Sequence, residues 1–226
     1  MGRAIALSLA GAGCDLVLHY GSAEAEAAAT AADAESLGAR VVRVGADLAD
    51  PGAPERLLAA AGDLAPVRVL VNSAAVFPDD DLAGITAEQW DHTLEVNLRA
   101  PVLLTRAFAA ALPEGLEGAV VNITDWRTAR PYREHFSYIV AKGGLDTFTR
   151  AAAEALAPHI RVNAVALGAI LPPPGKGSGY LKALAQEIPA GRPGGTDPVV
   201  AAVLFLLRNP FITGEILRVD GGAHLR

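Results

Sequence analysis

Tyr138 and Lys142, in the run Phe136-Ser-Tyr-Ile-Val-Ala-Lys142, stand four residues apart. On a helix that spacing puts a phenol and an ammonium one turn apart on a single face. An ammonium beside a tyrosine favours the phenolate, so a hydroxyl with an unperturbed pKa of about 10 is expected to exchange protons nearer neutrality. Lysine is scarce, because Lys142, Lys176 and Lys182 are the only three among 19 Lys and Arg residues. One of the three inside an Ala-rich, apolar helix is therefore a candidate for chemistry; a solvated lysine beside a half-buried tyrosine is the plainer alternative. Other polar residues of interest follow in order: Asp47-Leu48, Asn72-Ser73-Ala74, Asn97, Asp125, Gly168 with Ile170, and Asp220-Gly-Gly222.

Short apolar runs at 15–20, 41–44, 67–71, 119–124, 160–166 and 215–219 read as strands. Helical patterns at 3–12, 22–37 and 198–207, with helical segments between the other strands, alternate with them. Such a series builds an α/β, doubly wound, three-layer parallel sheet, in which Asp47-Leu48, Asn72-Ser73-Ala74 and Gly168 with Ile170 follow strands. No internal repeat and no second domain is visible, so residues 1–226 read as one domain. The stretch 171–179 is rich in Pro and Gly.

Composition narrows the function. A chain of 226 residues, 51% hydrophobic, can bury a sizeable sheet. A net charge of -6 and the lack of a cationic block argue against nucleic acid as a partner. The lone Cys14 excludes an intrachain disulfide and fits a reducing, cytoplasmic setting. No Cys/His cluster has metal-ligand spacing, so no metal is expected. The apolar start reads as a helix running into a strand and not as a signal peptide, position 6 lacks the hydroxyl of a lipidation site, and no membrane span is present.

Taken together, the Tyr138/Lys142 pair and the ordered motifs resemble the short-chain dehydrogenase/reductase family over essentially the whole chain. The resemblance implies a Rossmann-like fold, a nicotinamide cofactor, and hydride transfer to or from a C=O or C=N group. It implies that Lys142 also holds the cofactor ribose, that Asn97 holds a water linking Lys142 to solvent, and that Gly168 and Ile170 meet the carboxamide through backbone groups. It further implies that Asn72, Ser73, Ala74 and Leu48 line the cofactor, that Asp47 meets the adenine edge, a turn-forming Asp being the plainer alternative, and that 171–187, with Tyr180 and Leu181, is a short substrate lid. The family assembles as homo-oligomers, dimers or tetramers, on the helices carrying Asn97 and Tyr138. Met1 and Gly2 match the last two places of the family's glycine-rich turn, T-G-x-x-x-G-x-G, so only Gly2 of its three glycines is present and the preceding strand is missing. Either roughly ten further residues precede Met1 in the natural protein, the expectation preferred here, or the chain binds its cofactor weakly.

Two departures sharpen the resemblance. Where an NAD enzyme carries an acid after the first strand present here, this chain has His19-Tyr20-Gly21-Ser22, which tolerates the 2′-phosphate of NADP; Ser22 is also a candidate helix cap. Thirteen residues before Tyr138, where most of the family has a substrate-binding serine, stands Asp125. A carboxylate there repels a developing alkoxide and suits a substrate with ring N–H groups. This resembles the pteridine and dihydromonapterin reductases, and Phe77 matches the ring that sandwiches their pterin. The expected activity is thus NADPH-dependent reduction of a dihydropterin-like ring, with Phe77, Asp125, Tyr138, Tyr180 and Leu181 at the substrate. A 3-oxoacyl or general carbonyl reductase and a non-catalytic binding member are the alternatives. A local shift making Thr124 the working hydroxyl, and Phe77 serving as a core aromatic, also stay open.

Overall fold

The computed structural model describes residues 1–62, 64–172 and 178–226. The elements run α1 (Gly2–Gly11), β1 (Leu16–Tyr20), α2 (Glu24–Ser36), β2 (Val41–Gly45), α3 (Ala53–Ala59), β3 (Val69–Asn72), α4 (Ala87–Leu94), α5 (Ala100–Ala111), β4 (Gly118–Asp125), α6 (Phe136–Leu156), β5 (Ile160–Leu167), α7 (Ser178–Ala185), α8 (Thr196–Arg208) and β6 (Ile216–Val219). A π turn, Glu95–Arg99, joins α4 to α5 without a break in the helix. Every strand pair is parallel, as the unbroken Val/Ile/Ala runs require of strands buried on both faces.

The sheet comes in two pieces, β1-β2 and β3-β4-β5-β6, with no ladder between them among the described residues. Helix α1 bridges the two. Its Ile5 is buried with Val121, Ile123 and Val165 of the larger piece and with Val199, Val203 and Leu206 of α8. Its Ala6 and Ala10 pack with Leu16 of β1 and Ala34 of α2. On the opposite face, Phe108 of α5 and Ala152 and Ala153 of α6 close over Val120 and Val162. The result is the expected three-layer, doubly wound α/β arrangement.

Alternation along β4 decides which residues face which layer. Val121 and Ile123 point toward α1 and α8, whereas Val120 and Asn122 point toward α6. Thr124 is 1% exposed, in register with Ala166 of β5. Helix α2 is capped by no side chain; its N-cap is Ala23, so Ser22 is not a helix cap.

At the end of β5, Gly168 donates its N–H to Val219 at 2.9 Å. A Cβ on Gly168 would stand 2.5 Å from Asp220 Cα, closer than van der Waals contact allows, so glycine is what lets β5 and the end of β6 close. Gly168→Ala is expected to destabilise the fold by about 1–3 kcal/mol through overpacking against backbone. Calorimetry should record a fall in Tm of roughly 2–4 °C for each kcal/mol; an unchanged Tm would contradict this close approach.

Candidate active site

The candidate residues from all parts of the chain gather at the carboxyl ends of the parallel strands, where ligands bind in open α/β sheets. β1 ends at Tyr20, β2 at Gly45, β3 at Asn72, β4 at Asp125 and β5 at Leu167. Asp125 and Leu167 are register partners, which sets Gly168 beside Asp125 at the sheet edge.

Tyr138, 9% exposed, and Lys142, 2% exposed, lie on the buried face of α6. The Tyr138 hydroxyl donates to Asp125 Oδ2 at 3.3 Å, so the thirteen-residue spacing does bring them together. Asp125 Oδ1 accepts the Arg127 N–H at 2.8 Å. Lys142 Nζ donates to the Ile123 carbonyl at 2.8 Å and stands 5.7 Å from the centre of the Tyr138 ring.

Electrostatically, the pair behaves differently from the expectation set by its spacing. Burial, and then the carboxylate of Asp125, push the Tyr138 pKa well above the ordinary phenol value. Lys142 is itself pulled down to about 8 by burial, against the opposing pull of Asp125 and Asp146. The ammonium therefore does not dominate the phenol. Burial raises Asp125, although hydrogen bonds from Arg127 and Tyr138 and the charge of Lys142 oppose the rise. Tyr138 is thus a protonated donor facing a carboxyl group that readily holds a proton.

Phe77 is not a core aromatic, being 41% exposed. Its ring meets Tyr138 edge-on at 4.7 Å and stacks on His135 at 3.8 Å. His135 is the N-cap of α6 and has a left-handed backbone, φ 54°. Its Nδ1 donates to the Pro78 carbonyl at 2.5 Å. Asp80 accepts the Ser137 N–H at 3.2 Å and the Ser137 hydroxyl. Asn97, fully buried, holds both backbone groups of Val76: its Oδ1 accepts the N–H at 3.0 Å and its Nδ2 donates to the carbonyl at 2.9 Å. Its side chain thus clamps the loop after β3. A π turn at such a residue is a frequent mark of function.

On the cofactor side, a Cβ on Gly2 would lie 3.8 Å from Ser73 Oγ, so the start of α1 adjoins the end of β3. Ser73 Oγ and Asn72 Oδ1 are buried and have no hydrogen-bond partner among the described residues, while Asn72 Nδ2 donates to Asn122 Oδ1 at 2.8 Å. His19 Nε2 donates to the Ala46 carbonyl at 2.9 Å. The Tyr20 ring lies over Gly45, within 3.0 Å of where a Cβ would stand. Asp47 accepts the Ala49 N–H at 2.9 Å. The side chain of Leu48 is buried with Leu57 and Val96, and that of Ile170 joins the core around Val199. The N–H of Gly168 is engaged by Val219, which leaves its carbonyl for contact.

The expected lid at 171–187 is described in part, since residues 173–177 lie outside the described residues. On α7, Tyr180 is 38% exposed and its charge bears on Tyr132; Leu181 is half-buried. Sequence reasoning missed Arg127, Tyr132, His135 and Asp146. Asp146, 7% exposed, accepts from Thr128 at 2.5 Å; its four-residue offset from Lys142 on one helix face was the available signal. The other three sit in an irregular segment that has no periodicity to read.

A family model described as enoyl-(acyl carrier protein) reductase matches residues 1–224. L-xylulose reductase from Bos taurus is 36% identical, over 98% of this chain and 91% of that protein. The structure of FolM, alternative dihydrofolate reductase 1 from Brucella canis, complexed with NADP, is 34% identical at a TM-score of 0.91, over 99% of this chain and 89% of that one. A short-chain dehydrogenase/reductase from Serratia marcescens is 27% identical at a TM-score of 0.90, over 98% and 92%. With a tyrosine, a lysine and the strand-end polar groups convergent in this geometry, the chain belongs to the short-chain dehydrogenase/reductase family of oxidoreductases.

Proposed function

We propose that this protein is an NADPH-dependent reductase of a dihydropterin-like ring. The observation that carries the reading is Asp125: a buried carboxyl stands 3.3 Å from the hydroxyl of Tyr138, the proposed proton donor. An ionised carboxylate would oppose the negative charge that grows on a reduced carbonyl oxygen. It accepts hydrogen bonds from ring N–H groups instead, and when protonated it can donate one. Phe77 offers a half-exposed ring beside Tyr138 on which a flat heterocycle can stack. The FolM structure, an alternative dihydrofolate reductase, supports the same direction.

The residues present fit the cofactor. The buried, unpartnered Ser73 Oγ and Asn72 Oδ1 call for a polar ligand, and the N-terminus of α1 favours an anionic one. Gly2, Asn72, Ser73, Ala74 and Lys142 would hold it on one side and His19, Tyr20 and Ser22 on the other, with Asp47, Leu48, Gly168 and Ile170 contributing backbone. No acid stands between His19 and Ala23 to repel a 2′-phosphate. NADPH, when bound, supplies the hydride. Tyr138 keeps a proton on its hydroxyl at neutral pH and delivers it to the substrate directly or through water. Asp125 orients the ring and shares that proton, while Lys142, charged below about pH 8, holds ribose and restores the proton to Tyr138. The chain forms one dinucleotide-binding domain, with α7 carrying Tyr180 and Leu181 over the substrate. The enzyme works in the cytoplasm as a homo-oligomer, dimer or tetramer, built on the helices carrying Asn97 and Tyr138. A carbonyl reductase is the second reading, favoured by the identity to L-xylulose reductase.

NADPH should bind at least tenfold tighter than NADH, about 1.4 kcal/mol; fluorescence titration giving equal affinities would remove the argument from the β1 end. Tyr138→Phe should lower turnover by a factor on the order of 10² or more, with NADPH affinity little changed. Near-normal turnover of that variant would exclude Tyr138 as the donor. Asp125→Ser separates the two substrate classes. It should weaken dihydropterin reduction by about 1–3 kcal/mol in transition-state terms, whereas for a ketone it supplies the hydroxyl donor and should raise the rate. Steady-state kinetics on 7,8-dihydrobiopterin and on a 3-oxoacyl thioester decide it: faster thioester reduction by the variant, with no pterin activity in either form, would sink the pterin reading.

A further inference from the structure

Arg127 follows Asp125 by two residues and is held in an unusual way. Its guanidinium lies 4.0 Å from the centre of the Tyr132 ring and 4.7 Å from that of Trp126. The side chain is only partly exposed, yet among the described residues the guanidinium makes no hydrogen bond and no ion pair. An arginine with a purely structural task looks different here: Arg161 donates to the carbonyls of Leu206, Leu207 and Ile212 at 2.8–3.1 Å. The nearby Asp125 accepts the backbone N–H of Arg127 and Tyr138 Oη but not the guanidinium. A cation fixed between two rings keeps its planar fork of donors available, already desolvated on its faces.

Its position follows the line of the site. Tyr138 meets Phe77, Phe77 stacks on His135, and His135 stands 6.0 Å from Tyr132, over whose ring Arg127 lies. One continuous wall thus runs from the proton donor to the unpartnered guanidinium. Arg130 and Arg133, both exposed, extend the local positive charge in a chain whose net charge is -6. From Trp126 to His135 the segment carries three arginines against one acid, Glu134, a balance that favours an anion beside Arg127.

We propose that Arg127 is a specificity-determining residue whose guanidinium receives a carboxylate that the substrate carries beyond its reacting group. The inference rests on Asp125 and Tyr138 marking the reacting end of the site, and it deepens the substrate class to a carboxylate-bearing one. A planar carboxylate matches the fork with two parallel hydrogen bonds.

The test compares acids with their esters, by calorimetry on the full chain saturated with NADP+. One pair is 7,8-dihydrofolate and its dimethyl ester; the other is acetoacetate and methyl acetoacetate. In the pair that the site accepts, the acid should bind at least tenfold more tightly than the ester. Arg127→Gln should bring that ratio to within about twofold, and Arg127→Lys, which keeps the charge and loses the fork, should fall between. A wild type with no preference for either acid overturns the proposal without any variant having to fold. So does Arg127→Gln weakening acid and ester equally, which would make Arg127 part of the wall alone. If only the acetoacetate pair binds, with the expected ratio, the dihydropterin reading fails and the role of Arg127 stands.

Discussion

The chemistry of this protein depends on one seam, where α6 lies against the end of β4. Along a single face α6 buries Tyr138, Lys142, Asp146 and Thr149. Three of these four can ionise, and none is ordinarily buried without a partner. The strand answers three of them near their own level: Asp125 accepts from Tyr138, the Ile123 carbonyl from Lys142, and Asn122 donates to Thr149 at 2.9 Å, while Asp146 accepts from Thr128 beyond the strand end. Asn72 then ties β3 into the same chain of amides. Burial makes each partnership strong and each protonation state sensitive to its neighbours. A proton donor and a cation can be kept side by side here because the strand's polar groups solvate them.

A second set of bonds holds the substrate wall in place. The loop after β3 would be free to move on its backbone alone, but Val76 is gripped by Asn97, Pro78 by His135 and Asp80 by Ser137. Phe77 sits between the first two grips. His135 adopts a left-handed conformation to reach both Pro78 and Phe77, a strain of the kind that persists where surrounding contacts over-determine it. The exposed ring therefore has a fixed attitude toward Tyr138 without being packed in the core.

Much of this was legible in the sequence wherever periodicity or spacing carried the information. The apolar runs announced parallel strands, and the offsets from Asp125 to Tyr138 to Lys142 announced a cluster. What the spacing could not carry was burial. Read as neighbours in water, an ammonium and a phenol suggest an acidified tyrosine; buried together with Asp125, the tyrosine shifts the other way and the lysine turns to a backbone carbonyl. Ser22 has a capping side chain, but the chain turns one residue later and Ala23 takes the place. Arg127 and His135 belong to a stretch whose conformation is set by rings and carbonyls remote in sequence, and no local pattern encodes those. Thr86 and Gln89 form a capping box at the start of α4, a local signal that was present and unread.

The π turn between α4 and α5 makes chain length itself a constraint. One extra residue per turn lets Asn97 face Val76 while Val96, Ala100 and Leu104 stay in the core, and Gly144 of α6 admits Leu98, whose side chain would lie 2.9 Å from a Cβ there. Deleting any one residue of 95–99 would return the segment to the ordinary helical ladder, which is locally better hydrogen-bonded. It would also rotate α4 by about 100° relative to α5, swinging Trp90 away from Phe136, its neighbour at 6.1 Å at the start of α6. A gain in regular helix would thus come with the site's supports out of phase. Insertions and deletions can drift through the loops of such a protein, but the count of residues from Thr86 to Leu104 is held by the geometry of the site.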